Sequence, residues 1–399
     1  MASIDRARGL TPELRATIYY FTFFMTSGAS TAYAGIWFSA DQGLSPGEIG
    51  LINSLPTFIM LVLNLVIGRV ADRAEDWRRV IVIGALLAGI IPIGLFWAHG
   101  FLPILLVWTL AALPVAAVGP VQDAATLRMT RRNGTDFGFI RACGTVGFLI
   151  VVAITGPLVS WFGAGAFLPF FVVLALLRGG TSLGLPNFRA PRQVLTLATG
   201  AASRMREVMK PWFLLPLVGW SMIAATHLIL NGFQALLWKQ QGLPELDISL
   251  LIALGAASEA TMMIVFKRFV GRFPARLVIL ISAVASTLRW VAFGFAPDIP
   301  FLIVLQLLHS VTFAMGYLGC VHFIANWTSE DIAAEAQSFF QVLQQGMGVV
   351  AVAGFGVLAG IFGYHAYFAS AAFAAIGAAM IFISMRLMQP KVHGGEAHA

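Results

Sequence analysis

The chain has 399 residues, of which 59% are hydrophobic and only 11% charged, and it carries a net charge of +7. Mean hydropathy is +0.85. So apolar a chain is excluded as a soluble globular protein, and most of it must sit in lipid.

A helix crosses about 30 Å of hydrocarbon with about 20 apolar residues, so this length has room for about twelve spans. Continuous apolar runs such as 101–120 exclude a transmembrane β-barrel, whose strands alternate in polarity. The expected fold class is all-α, a polytopic membrane protein with its spans in two six-helix halves. No short apolar core with a small-residue cleavage site precedes the first span, which reads as a membrane helix rather than a removable signal.

The spans expected in chain order are 16–38, 47–70, 79–98, 101–128, 137–161 and 165–185, then 212–238, 247–269, 276–296, 299–325, 333–362 and 364–387. Between the sixth and seventh stands the longest polar interruption, with Pro186, Arg189, Pro191, Arg192, Arg204, Arg206 and Lys210. It divides the chain into an N-terminal six-helix bundle at 1–185, a cytoplasmic linker at 186–211 and a C-terminal six-helix bundle at 212–399.

With both termini in the cytoplasm, 22 of the 25 Lys and Arg residues fall in cytoplasmic segments. Arg141 and Arg289 fall inside spans, and Lys239 faces out. This asymmetry follows the positive-inside rule, so the basic balance reports topology and not a nucleic-acid partner. Cys143 and Cys320 lie in apolar stretches and are read as small buried thiols, without a disulfide or redox role.

An ionisable side chain near the bilayer centre costs at least about 2.5–3.5 kcal/mol, so it normally faces a partner or a wet cavity. Five such groups matter: Asp123, Arg141, Glu259, Arg289 and His309. Asp123 and Arg141 each stand nine residues from position 132, the middle of their connecting loop, which puts both at a depth of about 13 Å and allows them to meet. Glu259 and Arg289 are equidistant from Pro274, and Arg289 and His309 from Ile299, so these three also share a depth. Each half thus contributes an acid and an arginine, as a solute site at the interface of two repeats requires. Internal ion pairs that merely set helix register are the alternative.

Weaker polar stripes accompany these charges. His227, Asn231 and Gln234 recur on one face of the seventh span, and Gln306, His309 and Thr312 on one face of the tenth. The eleventh span carries Gln337, Gln341, Gln344 and Gln345, either lining a water path or bonding neighbouring helices. Phe148, two turns beyond Arg141, either offers the guanidinium an aromatic plane or packs in the core. Gly144 and Gly147 are expected to let the fifth span pack closely.

The loop after the second span, Gly68-Arg69-Val70-Ala71-Asp72-Arg73 followed by Arg78 and Arg79, resembles the G-x-x-x-D-R…R-R signature of the major facilitator superfamily. In that family it is a conformational latch, a role the resemblance implies for Gly68, Asp72, Arg73 and Arg78; ordinary positive-inside anchoring is the plainer reading. The second-half loop 267–272 looks like a decayed copy. More closely, Arg141-Ala142-Cys143-Gly144-Thr145-Val146-Gly147-Phe148 resembles the fifth-span segment of the lactose permease branch, with its phenylpropionate and nucleoside permease relatives. There the arginine binds sugar, and Asp123 stands where its acid partner stands. Glu259, Leu288-Arg289-Trp290 and the segment 306–313 are similar to the segments that carry proton coupling and sugar recognition, and Ala336-Gln337 matches the phenylpropionate permease pattern. Two departures matter: Phe148 stands where lactose permeases have a stacking tryptophan, and Thr312 where they place a proton-carrying glutamate.

The resulting expectation is a secondary active transporter, a proton-coupled symporter for a sugar, nucleoside or aromatic acid. Asp123, Arg141, Phe148, Asn231, Gln306, His309, Gln337 and Gln341 would bind substrate; Glu259, Arg289, His309 and Asp123 would couple the proton, with Glu259 the first carrier. Proton-coupled efflux by antiport is the alternative. Neither His-Glu-x-x-His nor G-x-S-x-G occurs, so an enzyme is not expected. The expected partners are a small-molecule substrate, protons and the lipid bilayer, with no nucleic acid, no metal and no cofactor beyond the proton gradient, for a monomer in a bacterial inner membrane.

Overall fold

Helix follows helix in the computed structural model, which describes residues 10–73, 77–188, 209–328 and 330–387, the side chains of 64–73 and 330–335 excepted. Helix α1 is Pro12–Ile36, α2 Pro46–Arg73, α3 Trp77–Ile90, α4 Phe101–Asn133, α5 Phe137–Phe162 and α6 Phe167–Ser182. Then come α7 (Pro211–Leu228), α8 (Leu230–Gln240), α9 (Glu245–Phe269), α10 (Ala275–Phe293), α11 (Ile299–Leu307), α12 (Gly316–Trp327), α13 (Glu330–Phe362) and α14 (Tyr367–Arg386). Among the described residues ten stretches are long and apolar enough to cross a membrane; the last, Ala336–Arg386, runs through the turn between α13 and α14.

Local chemistry sets the ends. Thr11 caps α1 by accepting from the Leu14 N–H, ahead of Pro12 at the first helical position, where its missing N–H costs nothing. Asp136 caps α5 through the Gly138 N–H, and α4 stops at Gly134, whose φ of 68° suits a residue without Cβ.

Two compact units are resolved. Unit 1 comprises 1–44 and 59–193, and unit 2 comprises 45–58 and 194–399, so the first part of α2 groups with unit 2. In unit 1, α1 packs along α5 and α6, and α3 along α4 and α6. Tyr19, Tyr20, Trp77, Ile81 and Phe188 belong to its core. The close crossing of α1 and α5 depends on glycine: a Cβ at Gly147 would lie 2.6 Å from the Phe21 carbonyl oxygen, and one at Gly28 2.8 Å from that of Phe148. Backbone cannot yield as a side chain does, so Gly147→Val is expected to destabilise by about 1–3 kcal/mol, read as a lower melting temperature of the purified protein.

Arg178 departs from the expectation that grouped it with the cytoplasmic cations. It lies inside α6 and is only 4% exposed. The reason is Pro92, which has no N–H to give the carbonyl four residues back. Helix α3 tightens there into a 3₁₀ segment, Ile91–Phe96, and Arg178 Nη2 donates to that carbonyl, Ala88 O, at 2.7 Å. Next to it, a Cβ at Gly89 would sit 2.8 Å from Ala175 O, so the two helices are in contact where the guanidinium crosses. Losing the donor should cost about 1–3 kcal/mol. The loss from Arg178→Met is expected to shrink in a Pro92→Ala background, where residue 92 regains an N–H; melting curves of the single and double variants check it.

The latch expected at Gly68, Asp72 and Arg73 rests on side chains outside the described residues. Arg78 is described: its Nε donates to Leu185 O and its Nη2 to Leu183 O, each at 2.7 Å, tying the start of α3 to the chain after α6. Most of the expected linker, 189–208, lies outside the described residues.

In unit 2, α7 is the central post, packed by α13 and α14, while α10 packs against α12 and α14. Between α11 and α12 the helix widens to a π turn, Ser310–Met315, which leaves carbonyls out of the regular ladder. Serines of neighbouring helices take them: Ser258 Oγ donates to Gln306 O (3.0 Å), Ser282 Oγ to Val311 O (2.6 Å) and Ser286 Oγ to Thr312 O (3.0 Å). The π turn therefore holds His309 and Thr312 in a fixed orientation toward α10.

Candidate functional site

Two polar clusters emerge, one in each unit. In unit 1, Asp123 of α4 and Arg141 of α5 both reach α1, at residues one turn apart. Tyr20 donates its hydroxyl to Asp123 Oδ1 at 2.6 Å, a short charge-assisted bond. The Arg141 guanidinium lies 4.2 Å from the ring centre of Phe24, which stacks on Tyr20 at 6.5 Å. Asp123 and Arg141 form no ion pair within 4.0 Å, and among the described residues no carboxylate is paired with the Arg141 guanidinium, which is exposed. The acid is engaged by a phenol, and the cation rests on a ring with its donors uncommitted.

Phe148 is half-buried and packs against α1 at Gly28, one turn beyond Phe24, so the plane beneath the guanidinium is Phe24. Gly144 makes room for it: a Cβ there would lie 2.7 Å from Phe24 Cδ2. Nothing in the sequence sets Tyr20 and Phe24 apart as site residues. Their only signal was an aromatic pair four residues apart on the first span.

In unit 2 the centre is Arg289, which is 1% exposed. An arginine only donates, so each partner's proton position follows from it. Nη2 donates to Gln306 Oε1 at 2.7 Å, and Gln306 Nε2 passes a donor on to Leu251 O at 2.8 Å. Nη1 donates to His309 Nδ1 at 3.1 Å, which must accept; the ring hydrogen is then on Nε2, which donates to Glu259 Oε2 at 3.2 Å. Nη1 also reaches Thr312 Oγ1 at 3.3 Å, and that hydroxyl lies 3.1 Å from His227 Nε2. His227 Nδ1 donates to Ile223 O at 2.9 Å, and the Thr312 hydroxyl donates to His309 O at 3.4 Å. The His309 nitrogen that faces Arg289 can only accept, which holds His309 neutral in this arrangement.

The expected contact of Glu259 with Arg289 is therefore indirect, since His309 stands between them. The side chains of His309 and Glu259 are 14% and 28% exposed, so the network runs from a buried cation to a carboxylate with access to its surroundings. Trp290, beside Arg289, donates its indole N–H to Thr226 Oγ1 at 2.8 Å and stacks on Tyr367 at 5.7 Å. Gln306, His309 and Thr312 come together as their spacing implied. Asn231 is exposed on α8; Gln337 is half-buried and Gln341 exposed on α13, and none of these three joins the Arg289 network. Among the described residues no group of three His, Cys, Asp or Glu is placed to hold a metal.

The profile of the MFS_1 like family matches residues 14–375. The chain belongs to that family. It is a multi-pass membrane protein and a secondary transporter, not an enzyme. It is 28% identical over 318 residues to the "Probable 3-phenylpropionic acid transporter" of Escherichia coli (strain K12), covering 77% of this chain and 80% of that one. Against the maltose permease of Geobacillus stearothermophilus the identity is 23% over 331 residues, covering 83% of each. The crystal structure of the nucleoside transporter NupG superimposes with a TM-score of 0.82 at 18% identity, covering 95% of this chain and 100% of that one. At that identity the likeness speaks for the fold alone.

Proposed function

We propose that the protein is a proton-coupled symporter whose solute is a small organic acid with an aromatic body. The observation that carries this is Arg141: an exposed guanidinium on a membrane helix, lying on the Phe24 ring and unpaired with any described carboxylate. A planar fork of donors matches a carboxylate in two parallel bonds. A carboxylate solute supplies the missing counter-charge, and its ring meets Phe24 and Phe148. A sugar would need Asp123 to accept from its hydroxyls, and Tyr20 already takes one of its two oxygens. The first relative named above is called a phenylpropionic acid transporter, which supports the same solute class.

Proton coupling belongs in this reading to Glu259, with His309 and Arg289 behind it. Protonating Glu259 turns its bond from His309 Nε2 from a charge-assisted one into an ordinary one, about half as strong. Release of that bond is the step by which proton occupancy loosens the Arg289 network. The proposal extends to about twelve spans in two six-helix halves, 1–185 and 212–399, with the linker 186–211 and both termini in the cytoplasm of a bacterial cell, working as a monomer by alternating access. Gly68, Asp72, Arg73 and Arg78 serve as the latch.

The test is uptake into reconstituted vesicles with a pH step, using labelled 3-phenylpropionate, maltose and uridine in parallel. Accumulation of the aromatic acid alone, driven by an acidic exterior, is the expected result. Accumulation of maltose or uridine instead would overturn the solute class, and movement of the acid against the proton flow would make the protein an antiporter.

A further inference from the structure

In unit 2, α13 and α14 both lie along α7 but scarcely touch each other. The gap between them is a cleft of about 180 Å³ lined by, among others, Thr226 of α7, Ile229 between α7 and α8, Val350, Gly354 and Phe355 of α13, and Ser370 of α14. Gly354 borders open space, since a Cβ there would meet nothing within 4 Å. Val350, one of the walls, is 66% exposed, so the mouth opens on the surface of a stretch long and apolar enough to cross a membrane.

The lining is apolar with one exception of consequence. Ser370 is 4% exposed, and among the described residues its Oγ has no hydrogen-bond partner. Thr226, the other hydroxyl, is already committed: it donates to Ile223 O and accepts from Trp290. A buried hydroxyl without a partner is costly, and water does not settle an apolar slot of this size.

Depth indicates what does. Ser370 stands three residues into α14, about 5 Å from its start, whereas Val350 stands twelve residues before the end of α13, about 18 Å deep. The cleft therefore runs from the edge of the hydrocarbon, where glycerol esters lie, into the acyl region.

We infer that this cleft binds one acyl chain of a bilayer phospholipid, with the Ser370 hydroxyl donating to the ester carbonyl. The chain lies over Thr226, whose oxygen holds Trp290 beside Arg289, so an occupant of the cleft borders the charged network without entering it.

The test uses the full chain in vesicles of phosphatidylcholine carrying a photoactivatable diazirine on one acyl chain, with cross-links mapped by peptide mass spectrometry. Cross-links are expected to concentrate on 350–358 and 369–373, about tenfold above those at Ile264 and Leu288, which are 81% and 65% exposed and report lipid merely touching the surface. Gly354→Leu fills the cleft and should bring its labelling down to the level of Ile264 and Leu288, with labelling at those two unchanged. Ser370→Ala should lower cleft labelling while leaving the melting temperature intact, and it decides the matter if Gly354→Leu does not fold. Cleft labelling no stronger than at Ile264 and Leu288, or undiminished in both variants, overturns the inference.

Discussion

Arg141→Ala is expected to abolish solute binding. In the proposed complex the solute covers the guanidinium, and truncating one partner of a buried hydrogen-bonded charge pair typically costs about 2–5 kcal/mol, a loss of about thirtyfold or more in affinity. Most interactions on this surface would not give so large an effect. Asp123 keeps Tyr20 whether or not Arg141 is present, and Phe24 keeps its stack on Tyr20. The fold is therefore expected to survive, and an unchanged melting temperature separates lost binding from lost structure.

Two controls make the result specific. Arg141→Lys keeps the charge but offers a point donor in place of a planar fork, so binding should weaken without vanishing. The uncharged amide of the same aromatic acid should bind equally weakly to the wild type and to Arg141→Ala, because it never gains the charge pair. Equilibrium binding by scintillation proximity with labelled 3-phenylpropionate measures all three. Wild-type affinity in Arg141→Ala would remove the carboxylate from the proposal.

The helices were largely legible because hydropathy alone marks apolar runs in a chain that must satisfy its backbone inside lipid. Which charged side chains share a depth was legible more than the bonds they make. Folding each hairpin at its loop placed Asp123 level with Arg141, but such arithmetic compares only neighbouring spans. The partners came from α1, which packs along α5 and whose Tyr20 and Phe24 look in the sequence like any aromatic residues of a membrane helix. The π turn at Ser310–Met315 had no warning, since neither proline nor glycine stands in it; the serines that hold it are three helix positions on other elements. Arg178 was misplaced for a related reason: a charge near the end of an apolar run reads as a loop cation unless one knows that Pro92, on another helix, leaves a carbonyl in want of a donor.

Glu259→Gln is expected to retain exchange of labelled solute across the vesicle membrane while losing accumulation against a gradient. What the amide does in the network decides the outcome. Its oxygen accepts from His309 Nε2 as the carboxylate does, so His309 keeps the tautomer that Arg289 imposes and the cluster stays assembled. What the amide lacks is a second protonation state. Counterflow, which needs only solute binding and reorientation, should therefore proceed at a rate within about twofold of wild type, whereas a pH step should no longer drive uptake. His309→Gln tests the same chain one link further in. It removes the bridge between Glu259 and Arg289, so that pair must either meet directly or separate, and the pH dependence of uptake should shift even though Glu259 still titrates. Pairing these variants distinguishes carrier from bridge: accumulation lost with flat pH dependence in Glu259→Gln, but retained with a displaced profile in His309→Gln. If Glu259→Gln still accumulates solute under a pH step, the proton is carried elsewhere, and Asp123 beneath the Tyr20 hydroxyl is the carboxylate to examine next.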